Sequence, residues 1–139
     1  MGGFRIFGTT ADEGIEIESE TIEGLFALAV EGFVSVLLGG AEAVRPREHR
    51  KLMVEGEDAR DLLVGLLNEL IYTFDAHRWV PRTAEEVDFR QTSLSIVLKG
   101  ESYYPGIHPP AVEIKAATYH GAEVWQERDG WHARVILDL

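Results

Sequence analysis

The sequence predicts an α+β fold in two layers, two amphipathic helices packed on a largely antiparallel β-sheet. Three observations predict it. Apolar residues recur at three/four spacing in two stretches that open near Thr21 and Asp58. After Asp75 the pattern turns to alternation in β-rich composition. With no repeat and no Pro/Gly/Ser linker, the 139 residues are expected to form one domain, 1–139.

Phe4-Arg5-Ile6-Phe7 reads as a short strand, Gly8 to Asp12 as a loop, and Gly14-Ile15-Glu16-Ile17-Glu18 as a half-buried strand with alternating apolar and acidic residues. A first helix follows, with Thr21 as its cap, Leu25, Phe26, Ala29, Phe33 and Leu37 on its buried face, and Gly39-Gly40 as its stop. Lys51–Glu55 reads as a strand. The second helix opens near Asp58 and buries Leu62, Leu63, Leu66, Leu67, Leu70, Ile71 and Phe74. Strands are then expected near Arg78–Arg82, Ala84–Phe89, Ser93–Lys99, Val112–Tyr119, Glu123–Arg128 and Trp131–Leu137. Asp129-Gly130 is a hairpin signal, since such pairs tolerate positive φ. If Arg128 faces Trp131 across it, Asp138 falls opposite Gly121, and the chain end lies beside Tyr119-His120-Gly121.

Composition removes several functions. A formal charge of −11 and a pI near 4.8 oppose phosphate-backbone binding, so no direct stable RNA binding is expected. There is no cysteine, hence no thiolate nucleophile, disulfide framework or sulfur-ligated zinc. No membrane-length apolar run and no secretory leader are visible, which makes the cytoplasm the expected compartment. Scarce amides and many glutamates lean towards a thermophilic source. The histidines His49, His77, His108, His120 and His132 form no metal-helix motif, and nucleophile-elbow, phosphate-loop and dinucleotide signatures are missing. Arg45, Arg47, Arg50 and Lys51 are the only basic cluster, without interleaved aromatic residues, and read as a solvated loop and charged edge strand.

Three carboxylates stand out: Asp12, Asp138, and the terminus on Leu139. Hard oxygen donors of this kind suit Ca²⁺ or Mg²⁺, although each aspartate also fits a turn former or cap. In Glu113-Ile114-Lys115-Ala116-Ala117-Thr118-Tyr119-His120, alternation puts Lys115 opposite His120's face, in a near-central strand flanked by small alanines. Lys115 reads either as a snorkelling surface lysine or as a cation aimed at a carboxylate cluster. Glu69 lies at the border of the second helix's leucine stripe, suited to a rim salt bridge or to orienting a site at the sheet edge, and Asn68 points away from that stripe.

These segments resemble the archease family over nearly the whole chain. Thr9-Thr10-Ala11-Asp12 is similar to its His-Thr-Ala-Asp signature, with Thr9 where the family has histidine. Leu67-Asn68-Glu69-Leu70, Lys99-Gly100-Glu101, Glu113–His120 and the ending Asp138-Leu139 are similar to its other motifs. The resemblance implies a two-layer body like the domain of heat-shock protein thirty-three. It implies a divalent metal site, typically Ca²⁺ with Mg²⁺ or Mn²⁺ as substitutes, made from Asp12, Asp138 and Leu139. Lys115, Asp12 and Asp138 would serve ligase activation, with support from Glu69 and His120. The implied function is non-catalytic: assisting an RtcB-type tRNA-splicing ligase by promoting its GTP-dependent guanylylation and multiple turnover. An acidic protein suits such a partner's basic face. Two other classes are a chaperone or modulator of a tRNA-modifying enzyme such as a methyltransferase, which needs an exposed apolar patch, and a metal-dependent hydrolase, which needs turnover by the protein alone.

Overall fold

A computed structural model describes residues 2–8 and 11–139, so the expectation about Thr9 lies outside the described residues. The element order is β1 (Gly3–Gly8), β2 (Asp12–Ser19), α1 (Ile22–Leu38), β3 (Glu48–Glu55), α2 (Ala59–His77), β4 (Trp79–Arg90), β5 (Ser93–Ser102), β6 (Ala116–Glu127) and β7 (Gly130–Asp138). The α+β class is as expected, but the strands form two sheets rather than one. A four-stranded sheet has the order β1-β2-β7-β6, and a three-stranded sheet the order β3-β5-β4. All neighbouring strands are antiparallel. The helices join the sheets: α1 packs on β1 and β2 of one and on β4 of the other, and α2 packs on β6 and β3.

Both helices begin and end where capping chemistry dictates. The Thr21 hydroxyl accepts the Gly24 N–H at 3.0 Å, and Gly39, at φ 81°, closes α1 by donating its N–H to Ser35. Asp58 caps α2 by accepting the Asp61 N–H at 2.9 Å. Its end is carried by Arg78 at φ 49°, whose guanidinium lies over the Phe74 ring. Phe26, Phe33, Leu62, Leu63, Leu66 and Leu67 are fully buried. Each such side chain contributes about 1.5–3 kcal/mol on burial.

Three strand expectations need correction. The two segments placed at 78–82 and 84–89 are one strand, β4, bent by register shifts at Pro81/Thr83 and Ala84/Glu86. The segment 112–115 is not a strand. Its backbone bonds run elsewhere, from the Val112 N–H to Leu37 and from the Lys115 N–H to Asp138, and Ile114 and Ala117 are both buried, which strict alternation forbids. The third correction is the register of the last hairpin. Its turn residues are Arg128 and Asp129, so Glu127 faces Gly130. Gly130 sits inside the strand at φ 136° because a Cβ there would lie 2.4 Å from the Ser19 carbonyl oxygen. Further along, β6 passes from Glu123 to Thr118 while β7 passes only from Arg134 to Ile136. The surplus bulges out around Tyr119-His120-Gly121, and Asp138 comes to face Ala116 instead of Gly121.

Candidate functional site

The outward face of the four-stranded sheet is built in rows, because residues paired across strands share a face. Ile15, Ile17, Ala133, Val135 and Leu137 point into the core. The residues between them therefore point out. One row is Arg5, Glu16, Arg134 and Glu123; the next is Phe7, Gly14, Ile136 and Thr118. Phe7 lies flat on Gly14, where a Cβ would stand 2.1 Å from the ring, and the guanidiniums of Arg5 and Arg134 stack over it.

Beyond this ring the sheet ends in a row of Asp12, Asp138 and Ala116. Asp12 is thus the first residue of β2 and not a loop residue, because β7 continues far enough to pair with it. Side chains directly opposite on antiparallel strands have Cβ atoms about 4.5–5.5 Å apart, so two carboxylates share one small patch. Among the described residues neither side chain has a hydrogen bond or ion pair. The Leu139 N–H donates to the Ala11 carbonyl at 3.2 Å, and the Lys115 N–H donates to the Asp138 carbonyl at 2.8 Å. Asp12, Asp138, Leu139 and Lys115 are therefore brought to one end of the sheet. Lys115 is exposed and stands just before β6, an outer strand of its sheet; the expected near-central position is corrected by the strand order.

The donor set at this tip is all oxygen, unpaired and accessible, which fits a hard divalent cation and offers nothing to a soft one. His120 stands on the bulge and lines a recess of about 430 Å³ together with Asp12, Gly121, Glu123, Arg134 and Ile136. Glu69 is exposed on α2, and its carbonyl accepts the Thr73 hydroxyl.

Glu101, from the Lys99-Gly100-Glu101 segment, belongs to the other sheet and has an architectural task. A Cβ at Gly100 would lie 2.0 Å from the Val80 carbonyl oxygen, so only glycine lets β4 and β5 approach. The Glu101 carboxylate accepts the Arg45 N–H and the His108 Nε2–H, each at 2.8 Å, while His108 Nδ1 accepts the Tyr104 N–H. Burial pushes the Glu101 carboxyl up, but these bonds together outweigh it and hold the group below its ordinary range. They fasten the segments on either side to the core.

Three residues that matter at the tip were given no contact there by the sequence reading, although it named Asn68 in the Leu67-Asn68-Glu69-Leu70 segment. Asn68 makes a two-way clip to the open side of β6: its Oδ1 accepts the Ala117 N–H at 2.9 Å and its Nδ2 donates to the Ala117 carbonyl at 3.2 Å. Arg60 donates to the carbonyls of Tyr119 and Ala122, both at 2.7 Å. Asp61 accepts the Tyr119 hydroxyl, a bond that lowers the Asp61 pKa and raises that of Tyr119. The one available signal was that Asn68 is the only asparagine of the chain.

At the opposite end of the same face lies a row of Gly3, Glu18, His132 and Trp125. Among the described residues, Glu18, Asp129 and His132 are the one group of three His or acidic side chains whose ligand atoms converge within 4.8 Å. His132 stacks on Trp125 and its Nε2 is 2.9 Å from Asp129 Oδ1. The hydrogen bond to Asp129 raises the His132 pKa and, reciprocally, lowers that of Asp129. Among the described residues no helix is long and apolar enough to cross a membrane.

Residues 4–139 match the profile of the Archease protein family (MTH1598/TM1083). The chain is 32% identical to the Methanosarcina mazei protein archease over 94% of this chain and 91% of that one. It is 33% identical to the Pyrococcus abyssi protein archease over 94% of each. The solution structure of Methanobacterium thermoautotrophicum protein 1598 superposes with a TM-score of 0.79 at 30% identity, covering 99% of both chains. A Thermotoga maritima crystal structure, described as an archease and possible chaperone, superposes with a TM-score of 0.67 at 20% identity, over 97% of this chain and 96% of that one. That second likeness speaks to the fold alone.

Proposed function

The chain belongs to the archease family, and we propose that it acts as a non-catalytic, metal-binding activator of an RtcB-type tRNA-splicing ligase, promoting the ligase's GTP-dependent guanylylation and repeated turnover. The observation that carries this reading is the unpaired Asp12/Asp138 pair at the end of a sheet face on which Glu16 is paired with Arg5 and Arg134. Two carboxylates side by side repel one another, and a divalent cation, Ca²⁺ before Mg²⁺ or Mn²⁺, relieves that repulsion. Asp12, Asp138 and the carboxylate of Leu139 would hold it. A bound cation supplies fixed positive charge at an accessible point of an acidic protein, and with it a place where a phosphate or carboxylate oxygen of the partner can be gripped.

The chain's own residues do the rest. Asn68 fixes the start of β6, and the Asp138 carbonyl fixes the Lys115 backbone, so Lys115 stands beside the carboxylates at a set height. With −11 overall, the protein is drawn to the basic face of a ligase rather than to RNA.

A multiple-turnover ligation assay with the partner ligase, GTP and metal tests this reading. The wild type should raise the number of turnovers, while Asp12→Ala, or one residue added after Leu139, should remove the stimulation and leave the circular dichroism spectrum intact. Full activity in both variants, or no stimulation by the wild type, overturns it.

A second reading has its own observation. Tyr104, Ile107 and Val112 are 55%, 68% and 45% exposed on a single segment, the kind of apolar surface a chaperone presents to clients. Suppression of aggregation of an unrelated protein in a chelator, lost in Ile107→Asp, would select it over the first.

A further inference from the structure

Among the described residues the two sheets are bordered by β1, β6, β3 and β4, and these borders are not alike. β6 is broken by its bulge, and β4 by Pro81 and two register shifts. β1 is shorter, six residues with glycine at each end. Bulges, prolines and short length are the usual ways in which a border refuses a further strand. β3 has none of them: its eight residues pair with β5 in one unbroken register.

The phase of that register shows which backbone groups of β3 are free. The Gly56 N–H donates to the Thr92 carbonyl at 3.0 Å, one step beyond the pair Glu55 and Ser93. Bonds alternate along an antiparallel pair, so Val54 and Leu52 bond to β5, while Glu55, Met53 and Lys51 turn their N–H and carbonyl groups to the open side. The side chains of these same three residues are exposed. Met53, at 71%, is the most exposed large apolar side chain among the described residues. Lys51 and Glu55 flank it two positions away on either side, and neither side chain has a hydrogen bond or ion pair among the described residues. Four residues of strand, about 13 Å, keep the two from reaching each other.

Such a strand is complementary to an inverted copy of itself. Open backbone groups must meet open backbone groups, which restricts the antiparallel registers a second copy can take. Lys51 against Lys51 sets like charges face to face, and Lys51 against Met53 leaves the lysine unmatched. Met53 against Met53 places each Lys51 opposite Glu55 of the second copy, twice by symmetry, around a central apolar pair. On the other face the half-buried Leu52 then falls opposite Val54 of the second copy. A lone edge lysine repels most strands; this one meets a carboxylate only in its own inverted sequence.

We propose that β3 is a dimerisation edge: two copies pair antiparallel through β3, Met53 against Met53, and join their three-stranded sheets into one of six strands. The pairing uses none of Asp12, Asp138, Lys115 and Leu139, so it goes beyond the activator reading and does not depend on it. A contact of this length lies below the ~1,200 Å² of a stable interface, which makes the dimer weak, with half-dissociation at about 10⁻⁴ M.

Sedimentation equilibrium of the full chain, up to about 1 mM and at low salt where exposed charge pairs are least screened, reads the dimer directly. Lys51→Glu and Glu55→Lys should each raise the half-dissociation concentration about tenfold, since each homodimer then carries two like-charge contacts. An equimolar mixture of the two variants should dimerise as well as the wild type, because both charge pairs of the mixed dimer are opposite again, and this recovery also shows that both variants fold. Met53→Cys introduces the sole thiol of a chain without cysteine. Paired Cα atoms about 5.5 Å apart permit a disulfide, so mild oxidation should crosslink this variant. Lys51→Cys, with its two Cα atoms about 14 Å apart, should stay uncrosslinked. A wild type that remains monomeric at about 1 mM overturns the proposal. A dimer that both charge variants leave unchanged, a mixture that fails to recover, or equal crosslinking of the two cysteine variants overturns it as well.

Discussion

The two ends of one sheet face handle the same problem in opposite ways. Both ends gather carboxylates: Glu18 on β2 and Asp129 in the hairpin turn at one end, Asp12 and Asp138 on neighbouring strands at the tip. At the hairpin end an imidazole stands among them, bonded to Asp129 and braced by Trp125, so one carboxylate is met by a counter-charge within the chain. At the tip neither Asp12 nor Asp138 makes an ion pair among the described residues. The lesson is that carboxylate density is a poor guide to a binding site in an acidic protein. What marks a site is the cluster left unpaired where the fold elsewhere provides a counter-charge.

Calcium is the strongest way to break this comparison. At a concentration about 100 times its Kd, a cation bound only by the folded state stabilises it by ~2.7 kcal/mol. The thermal midpoint of the wild type should therefore rise with Ca²⁺, and the rise should vanish in Asp12→Ala and persist in His132→Ala. An equal response of both variants would make the two ends equivalent.

Next in size is the barrier between the ends. Gly14→Ala forces Phe7 off its seat, an overpacking that should cost about 1–3 kcal/mol by denaturant unfolding. The ring's two guanidiniums should lose their stacking with it.

Removing the Asn68 clip comes third. Asn68→Ala strips the Ala117 N–H and carbonyl of their partners, which should cost about 1–2 kcal/mol and loosen the strand that carries Lys115 beside Asp138. Hydrogen exchange at Ala117 reports this directly.

The smallest effect is the pH dependence of the hairpin end. The raised His132 pKa means that its contribution is complete below the ordinary histidine value of 6.5 and is lost as pH rises through the folded value. For Asp129, whose pKa is lowered, the contribution is present above 3.8 and is lost as pH falls through the folded value. The stability difference between wild type and His132→Ala should thus be largest between those limits and fade on either side.

Much of the fold was legible because it rests on local chemistry. Thr21, Gly39 and Asp58 act as caps where their side chains and φ freedom demand, and the leucine stripe of α2 is buried throughout. The register of the last hairpin was not legible. Its decisive facts are long-range: the Ser19 backbone pressing on Gly130, and Arg60 holding surplus residues out of β6. The split into two sheets escaped for the same reason, since a strand's spacing shows which face is buried and not which neighbour it pairs with. At the site, Asp12, Asp138, Lys115 and Leu139 stood out by residue type and place in the chain and were joined into one site by motif likeness, and the strand pairing brings them to one end. Arg60 and Asp61 were not, because two charged residues at the start of a helix look like any solvated turn until the strand they grip is known.

Asn68 has one more consequence. β6 borders its sheet, and a bordering strand ordinarily offers its free N–H and carbonyl groups as a template for another chain. At Ala117 both groups are already taken by one side-chain amide. Strand addition is thereby blocked at this point of β6, which favours a partner that comes onto the face of the sheet, where the carboxylates are, and removes one stretch of edge along which crowded copies of this protein could pair.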